Sequence, residues 1–191
     1  SQQIRLGTGA DADLGVLTTD FQLHHVEALV EDARSKGARI LCGGHRSDCG
    51  RFYLPTIIAN TTDAMRISDE EIFGPVLTVS AFSSVDDVIV RHNSMPYGLS
   101  SSIWTEDKAR AERLTRALET GCINVNNVML TEGNASLPFG GVKYSGFGRM
   151  KGVEGLRGMT RSKAVMIDST RGGPEPNWYP YSANKLSLMQ Q

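Results

Sequence analysis

The residues best suited to chemistry are two adjacent acids, Glu70 and Glu71, and the aromatic residue Phe73. The pair Gly74-Pro75 follows them, and an apolar run begins at Val76, so the pattern predicts a loop that leads into a buried strand. A carboxylate fixed at such a point can accept hydrogen bonds from the paired hydroxyls of a sugar, while the aromatic ring packs against a second ring. The alternative is a solvated acid pair before a core phenylalanine.

The elements that would position these residues alternate along the chain. Apolar residues with helical spacing follow Asp20, Ser84 and Thr105, each of which suits the start of a helix. Runs suited to strands lie at 38–42, 52–58, 76–82, 99–104 and 122–125, with a last one from Lys163 to Asp168. Pro55 favours an edge or irregular position for the second run. The alternation predicts an α/β fold with a mostly parallel open sheet and flanking helices, and a ligand beyond the carboxyl ends of the strands.

Composition and charge exclude several classes of function. The chain has 191 residues, which is long enough for one domain with a core, and its 20 basic and 21 acidic residues give a net charge of −1. That balance provides no electrostatic attraction for nucleic acid or for an anionic membrane. The sequence also lacks an apolar run of membrane-spanning length and an apolar N-terminal signal. It therefore predicts a soluble, cytoplasmic protein with no nucleic-acid and no membrane partner.

The three cysteines, Cys42, Cys49 and Cys122, do not form a C-x-x-C motif, which favours free thiols. Cys42 and Cys122 end or begin apolar strands and are expected to be small buried hydrophobes, whereas Cys49 lies in a polar loop. The histidines lack ligand spacing with these cysteines, so no metal site is predicted. Asn124 and Asn126 alternate with apolar residues and are expected to bond to neighbouring backbone.

Glycines crowd the chain between Pro138 and Gly158, which requires either turns with positive φ or a close backbone approach. A phosphate-binding loop is one interpretation of this cluster. It is disfavoured because Lys151 stands where the dinucleotide fingerprint has a glycine, and because no clear strand precedes the cluster.

Five blocks, taken together and in this order, resemble the C-terminal part of an aldehyde dehydrogenase. The blocks are Glu70-Glu71-Ile72-Phe73-Gly74-Pro75-Val76-Leu77-Thr78-Val79, Asn93, Tyr97-Gly98-Leu99-Ser100, Gly121-Cys122-Ile123-Asn124-Val125-Asn126, and Pro138-Phe139-Gly140-Gly141-Val142-Lys143-Tyr144-Ser145-Gly146-Phe147-Gly148-Arg149. The resemblance implies that residues 1–160 form the C-terminal portion of the catalytic domain, and that residues 161–191 form an oligomerisation strand and a C-terminal tail. Loop 127–137 and the tail near Tyr179 resemble the class 3 branch, whereas the Tyr97 block is nearer to other branches.

The resemblance assigns roles residue by residue. It implies that Glu71 holds the nicotinamide-ribose hydroxyls of NAD or NADP, that Phe73 lines the nicotinamide site, and that Phe139 lines the tunnel for an aldehyde substrate. Core packing is the alternative for Phe139. The family's nucleophilic cysteine, its general base and its glycine-rich cofactor fold would all precede Ser1, so no catalytic residue is expected in this chain.

Two functions are compatible with these expectations. The first is the C-terminal portion of an NAD(P)-dependent enzyme that oxidises an aldehyde to a carboxylic acid, inactive without the nucleophile and assembled as a homo-oligomer through the run from Lys163 to Asp168. The second is a non-catalytic oligomerisation or interaction module derived from that family, for which an exposed strand edge would provide the contact.

Overall fold

The computed structural model describes residues 3–48, 50–169, 172–173, 175 and 178–189. In chain order, its elements are α1 (Asp20–Ser35), β1 (Arg39–Cys42), β2 (Thr56–Ala59), a short 3-10 helix (Arg66–Ser68), β3 (Val76–Val79), α2 (Val85–Ser94), β4 (Tyr97–Gly98), β5 (Ser100–Ile103), α3 (Lys108–Ala117), β6 (Cys122–Val125), α4 (Leu130–Gly133), β7 (Val142–Lys143), α5 (Gly152–Gly158) and α6 (Ala183–Met189). Of the described helices, none is long and apolar enough to cross a membrane.

The predicted α/β class with open sheets is confirmed. Within the described residues the strands form three small sheets: β1-β2-β3, β4-β7 and β5-β6. The pairs β2–β3 and β5–β6 are parallel, and the pairs β1–β2 and β4–β7 are antiparallel. The edge position predicted from Pro55 is wrong, because β2 begins only at Thr56 and lies between β1 and β3. The missing N–H of Pro55 therefore does not interrupt the ladder.

Helix α1 carries the main hydrophobic core. Thr19 caps its start by accepting a hydrogen bond from the Gln22 backbone N–H at 3.1 Å, and Gly37, with φ of 93°, follows its end. The buried residues of the core are Leu23, Val26, Leu29, Val30, Ala33, Ala38, Tyr53, Ile58, Met65 and Ile67. Each large apolar side chain buried there contributes roughly 1.5–3 kcal/mol relative to exposure. Helix α1 is consequently a rigid support for the chain packed against it.

Strand β3 is shorter and more exposed than predicted. It ends at Val79 rather than continuing to Phe82, and alternate residues on it are open to solvent, with Leu77 59% exposed. A strand with one face open exposes every second side chain. The expectation of a buried strand is therefore wrong for one face of β3 in this chain.

The predicted strand at 163–168 is absent. Residues 161–168 follow an irregular path, and Met166 and Ile167 are 97% and 86% exposed. A strand needs a paired neighbour, and the described part of this single chain provides none; the expectation that both faces of this run are covered in an assembly stays a prediction. The division at residue 160 and the role of this run in oligomerisation stay predictions. Helix α6 was not foreseen, and Cys49 lies outside the described residues.

Candidate functional site

The loop from Glu71 to Gly74 is fixed to helix α1 through its backbone. His25 Nε2 lies 3.0 Å from the carbonyl oxygen of Glu71, and the Gln22 side-chain N–H donates to the carbonyls of Ile72 and Phe73 at 3.0 and 2.6 Å. Gly74 lies directly on α1, since a Cβ placed there would come within 2.6 Å of a methyl group of Val26. The helix of the core thus sets the path of the loop that carries the candidate residues.

The two adjacent acids have different environments. Arg66 donates to both oxygens of Glu70, at 2.6 and 3.0 Å, and these hydrogen bonds hold the pKa of Glu70 below its usual range. The carboxylate of Glu71, in contrast, is exposed and has no partner among the residues that the structure describes. The structure therefore leaves Glu71, rather than Glu70, with acceptor capacity for a ligand.

Glu71 lines a cleft of about 740 Å³ between loop 67–71 and strands β4 and β5, which we call the Glu71 cleft. Its walls carry many hydroxyl groups, from Ser68, Ser100, Ser101, Ser102, Thr120 and Ser145. Carboxylate and hydroxyl groups together suit a ligand that itself carries hydroxyls. This cleft is built from the loop that enters β3 and from the body of β5, so the predicted ligand position beyond the carboxyl ends of the strands stays a prediction.

His92 also lines this cleft, from helix α2. Burial and, secondarily, the positive charge of Lys143 lower the pKa of His92 below its usual value. Its imidazole is therefore neutral at pH 7, and it lies 3.4 Å from the Ser101 hydroxyl. A neutral imidazole adds a donor and an acceptor to the cleft without adding charge.

Phe73 follows Glu71 closely in the chain but does not line the Glu71 cleft. Its ring is 73% exposed, and its backbone adopts φ of 49°, a left-handed conformation that bulky residues rarely populate. The Gln22 hydrogen bond to the Phe73 carbonyl helps to hold this conformation. The ring consequently presents a flat apolar face to solvent at the rim of the site.

Phe139 lies in a second, smaller cleft of about 350 Å³. Its backbone pairs with Met150 through hydrogen bonds of 2.8 and 2.7 Å, and Lys151 Nζ lies 5.6 Å from the centre of its half-buried ring. The structure therefore does not bring Phe139 into the cleft that Glu71 lines. Leu99 and Ser145 line both clefts and form the wall between them.

The crowded glycines allow close packing of backbone. A Cβ on Gly121 would lie 1.8 Å from the carbonyl oxygen of Gly140, and one on Gly141 would lie 2.5 Å from Ser145 Cβ. Gly146 and Gly148 adopt φ of 103° and 82°, as turns require. The segment thus contains both features that its glycines predicted, turns with positive φ and close backbone approach. These two features explain the glycines without a phosphate ligand.

Two residues of the sequence blocks, Asn93 and Lys143, join the ends of α2, α3 and β7. The Lys143 ammonium donates to the carbonyls of Asn93 and Met95 at 2.7 and 3.2 Å and pairs with Glu119 at 3.4 Å. The Asn93 side chain donates to the Ala117 carbonyl at 2.9 Å and accepts from the Glu119 N–H at 2.9 Å. These contacts hold the segments that carry Met95 and Thr120, two residues that line the Glu71 cleft.

The asparagines of the β6 block bond to nearby groups, as predicted. Buried Asn124 donates to the Val128 carbonyl and accepts from the Thr131 N–H, each at 2.9 Å, and Asn126 exchanges two hydrogen bonds with the backbone of Thr105. Cys122 is buried, also as predicted, whereas the same expectation is wrong for Cys42, which is only half-buried. Among the residues that the structure describes, no three histidines, cysteines or acids are grouped closely enough to hold a metal ion.

Comparison with known proteins identifies the family. The family model described as "Aldehyde dehydrogenase family" matches residues 1–165. The chain belongs to the aldehyde dehydrogenase family. Among its relatives, it is 37% identical over 182 residues to a 4,4'-diapolycopene aldehyde oxidase from a Methylomonas species, covering 95% of the chain and 34% of the relative. It is 39% identical over 167 residues to a betaine aldehyde dehydrogenase from Cereibacter sphaeroides, covering 86% and 34%.

Solved aldehyde dehydrogenases have the same fold over the matched region. A betaine aldehyde dehydrogenase variant from Staphylococcus aureus in complex with NAD+ aligns with a TM-score of 0.84 and 33% identity, over 94% of this chain and 37% of that one. An aldehyde dehydrogenase from Bacillus cereus in an NAD+ complex aligns with a TM-score of 0.81 and 34% identity, over 88% and 34%. This chain thus spans about a third of the length of the aldehyde dehydrogenases that it matches.

The family predicted from the sequence blocks is therefore confirmed, whereas the roles of Glu71, Phe73 and Phe139 stay predictions. Sequence reasoning on this member of the aldehyde dehydrogenase family missed Gln22, His25, Leu99 and Ser145 as parts of the site. Gln22 and His25 lie three positions apart and flank the apolar stripe of α1. This spacing indicates that they share a helix face, but it does not identify the loop that the face contacts. Leu99 and Ser145 lie inside recognised blocks, without a chemical feature that marks them as the wall between two clefts.

Proposed function

We propose that this chain is the C-terminal, cofactor- and substrate-contacting portion of an NAD(P)-dependent aldehyde dehydrogenase that oxidises an aldehyde to a carboxylic acid. The observation that carries the proposal is the exposed carboxylate of Glu71, which has no partner among the described residues, at a hydroxyl-lined cleft and on a loop held by helix α1. Two solved relatives that were crystallised with NAD+ support the cofactor class.

The described residues fit a nicotinamide nucleotide. The two oxygens of Glu71 can accept hydrogen bonds from a pair of ribose hydroxyls, and the exposed ring of Phe73 offers a face for an aromatic ring. NAD or NADP, when bound, provides the hydride acceptor for the oxidation. Phe139 and Leu99 supply apolar surface that can orient an aldehyde and exclude water, so we assign substrate contact to the second cleft.

The test of this function is Glu71→Gln in a full-length enzyme made with this chain. Replacing one carboxylate oxygen with an amide donor removes charge-assisted hydrogen bonds, which costs roughly 1.5–3 kcal/mol, so we expect cofactor use to weaken on the order of tenfold to a hundredfold. Steady-state and single-turnover kinetics of hydride transfer measure this loss. Glu70→Gln is the matched control, since Glu70 is occupied by Arg66, and it should have a much smaller effect. If Glu71→Gln leaves both kcat and the KM for cofactor unchanged, Glu71 does not contact the cofactor.

A second candidate function is a non-catalytic oligomerisation module, and the exposed apolar run at 163–168 favours it. We expect the chain to form a dimer or larger assembly at micromolar concentration, because contiguous exposed apolar surface drives association. Val165→Asp should dissociate that assembly, since burying an unpaired carboxylate costs several kcal/mol.

Light scattering over a concentration series measures this association. Ser162→Asp adds the same charge beside the apolar run and serves as the control that should remain associated. A wild-type chain that stays monomeric contradicts the expectation, and so does a folded Val165→Asp variant that remains fully associated.

A further inference from the structure

We infer that Gln22 and His25 are positioning residues, which set the location of the Glu71 carboxylate by holding the loop that carries it. The inference rests on the function proposed above for Glu71. It begins from three consecutive backbone carbonyls, those of residues 71, 72 and 73, which all receive their hydrogen bonds from the side chains of a single helix.

The supporting helix is well suited to this role. Gln22 and His25 are three residues apart on α1, so they lie on one face, and Val26, next to them, packs on Gly74 while its own side chain is fully buried. The contacts therefore connect the loop directly to the hydrophobic core. A displacement of the loop would require these hydrogen bonds to break together.

The geometry also determines the roles of the two side chains. Because a carbonyl oxygen only accepts, His25 must donate through Nε2, and Gln22 must direct its amide N–H groups, rather than its oxygen, at the loop. The loop needs such restraint, since Phe73 adopts a left-handed backbone conformation that a side chain disfavours. Without the donors, we expect the loop to relax and the Glu71 carboxylate to occupy several positions.

The test compares isosteric variants that keep or remove the donors. Gln22→Glu preserves shape but removes both N–H groups and places a carboxylate against two carbonyls, and His25→Phe removes the single donor. His25→Gln restores a donor and should rescue the wild-type behaviour. His24→Gln is the matched control, because the neighbouring His24 makes no described hydrogen bond to the loop.

Two measurements are made on each variant of this chain. Amide hydrogen exchange across residues 71–76 reports the order of the loop, and saturation-transfer NMR with nicotinamide mononucleotide reports ligand affinity. We expect faster exchange and roughly tenfold weaker binding in Gln22→Glu and His25→Phe, with wild-type values in His25→Gln and His24→Gln. Thermal unfolding of each variant verifies that α1 remains folded.

The outcomes separate this inference from the proposed function. If Glu71→Gln weakens nucleotide binding but Gln22→Glu leaves both binding and loop exchange unchanged, the inference is wrong and the proposed function stands. If the wild-type chain does not bind the nucleotide, or if Glu71→Gln binds it equally well, the proposed function is contradicted. In that case the exchange rates alone decide whether Gln22 and His25 hold the loop, and unchanged rates overturn this inference too.

Discussion

Replacing Gly121 with alanine is expected to destabilise the chain by about 3 kcal/mol and to lower its Tm by roughly 6–12 °C. The added methyl group would lie 1.8 Å from the Gly140 carbonyl oxygen and 2.9 Å from Gly141 Cα, so the atoms that must move belong to backbone. Gly121 also donates its N–H to the Gly98 carbonyl at 3.0 Å, directly before β6. The substitution therefore forces apart the segments that carry β4, β6 and the second cleft.

The matched control is Gly158→Ala, at the end of α5, where the described residues beyond its chain neighbours and its own helix backbone place no atom within 4 Å of the new Cβ position. Alanine there should leave stability unchanged or raise it by about 0.5–1 kcal/mol, because it restricts the unfolded chain without a clash. Urea and thermal unfolding followed by circular dichroism measure both variants. If Gly121→Ala is as stable as Gly158→Ala, the backbone approach at Gly121 is not a constraint.

The second prediction with a large expected effect concerns aldehyde oxidation by this chain alone. We expect this chain by itself to oxidise no aldehyde, because covalent aldehyde oxidation needs a thiolate positioned at the substrate. Neither described cysteine meets that need: Cys122 is buried, Cys42 is half-buried, and neither lines the Glu71 cleft or the Phe139 cleft. Among the described residues, neither of the two clefts contains a thiol.

The measurement is reduction of NAD or NADP with a panel of aliphatic and aromatic aldehydes. A parallel preparation from cells that carry the empty vector controls for host dehydrogenases. Turnover that follows the purified chain through successive columns and exceeds this control would show that a thiol of this chain reaches the substrate. Such a result would contradict our proposal that this chain contacts cofactor and substrate but does not supply the nucleophile.

The predicted and observed structures agree where the signals are local. Apolar spacing located helices α1 and α2. The predicted cap of α2, Ser84, does accept from the Asp87 N–H, whereas the cap of α1 is Thr19 and not the predicted Asp20. These features depend on residues three or four positions apart, which a sequence displays directly. The ordered blocks likewise determined the family, since several specific motifs in one order are rarely shared by chance.

The tertiary structure decided everything that depends on distant partners. Sequence alone presents Glu70 and Glu71 as equivalent neighbours, and only the placement of Arg66 distinguishes the occupied acid from the free one. The separation of Phe139 from the Glu71 cleft is also a tertiary feature, because Leu99 after β4 and Ser145 after β7 line both clefts and only one of these clefts contains Phe139.

The run at 163–168 illustrates the physical reason. Its apolar residues favour a strand, yet a strand forms only where a second strand supplies hydrogen-bond partners, and propensity does not specify that partner. The central position of β2 and the hydrogen bonds from α1 to loop 71–74 also depend on residues that are far apart in the chain. Sequence by itself determined the family, the local elements and the candidate residues. Contacts between residues far apart in the chain decided which of those residues share a cleft.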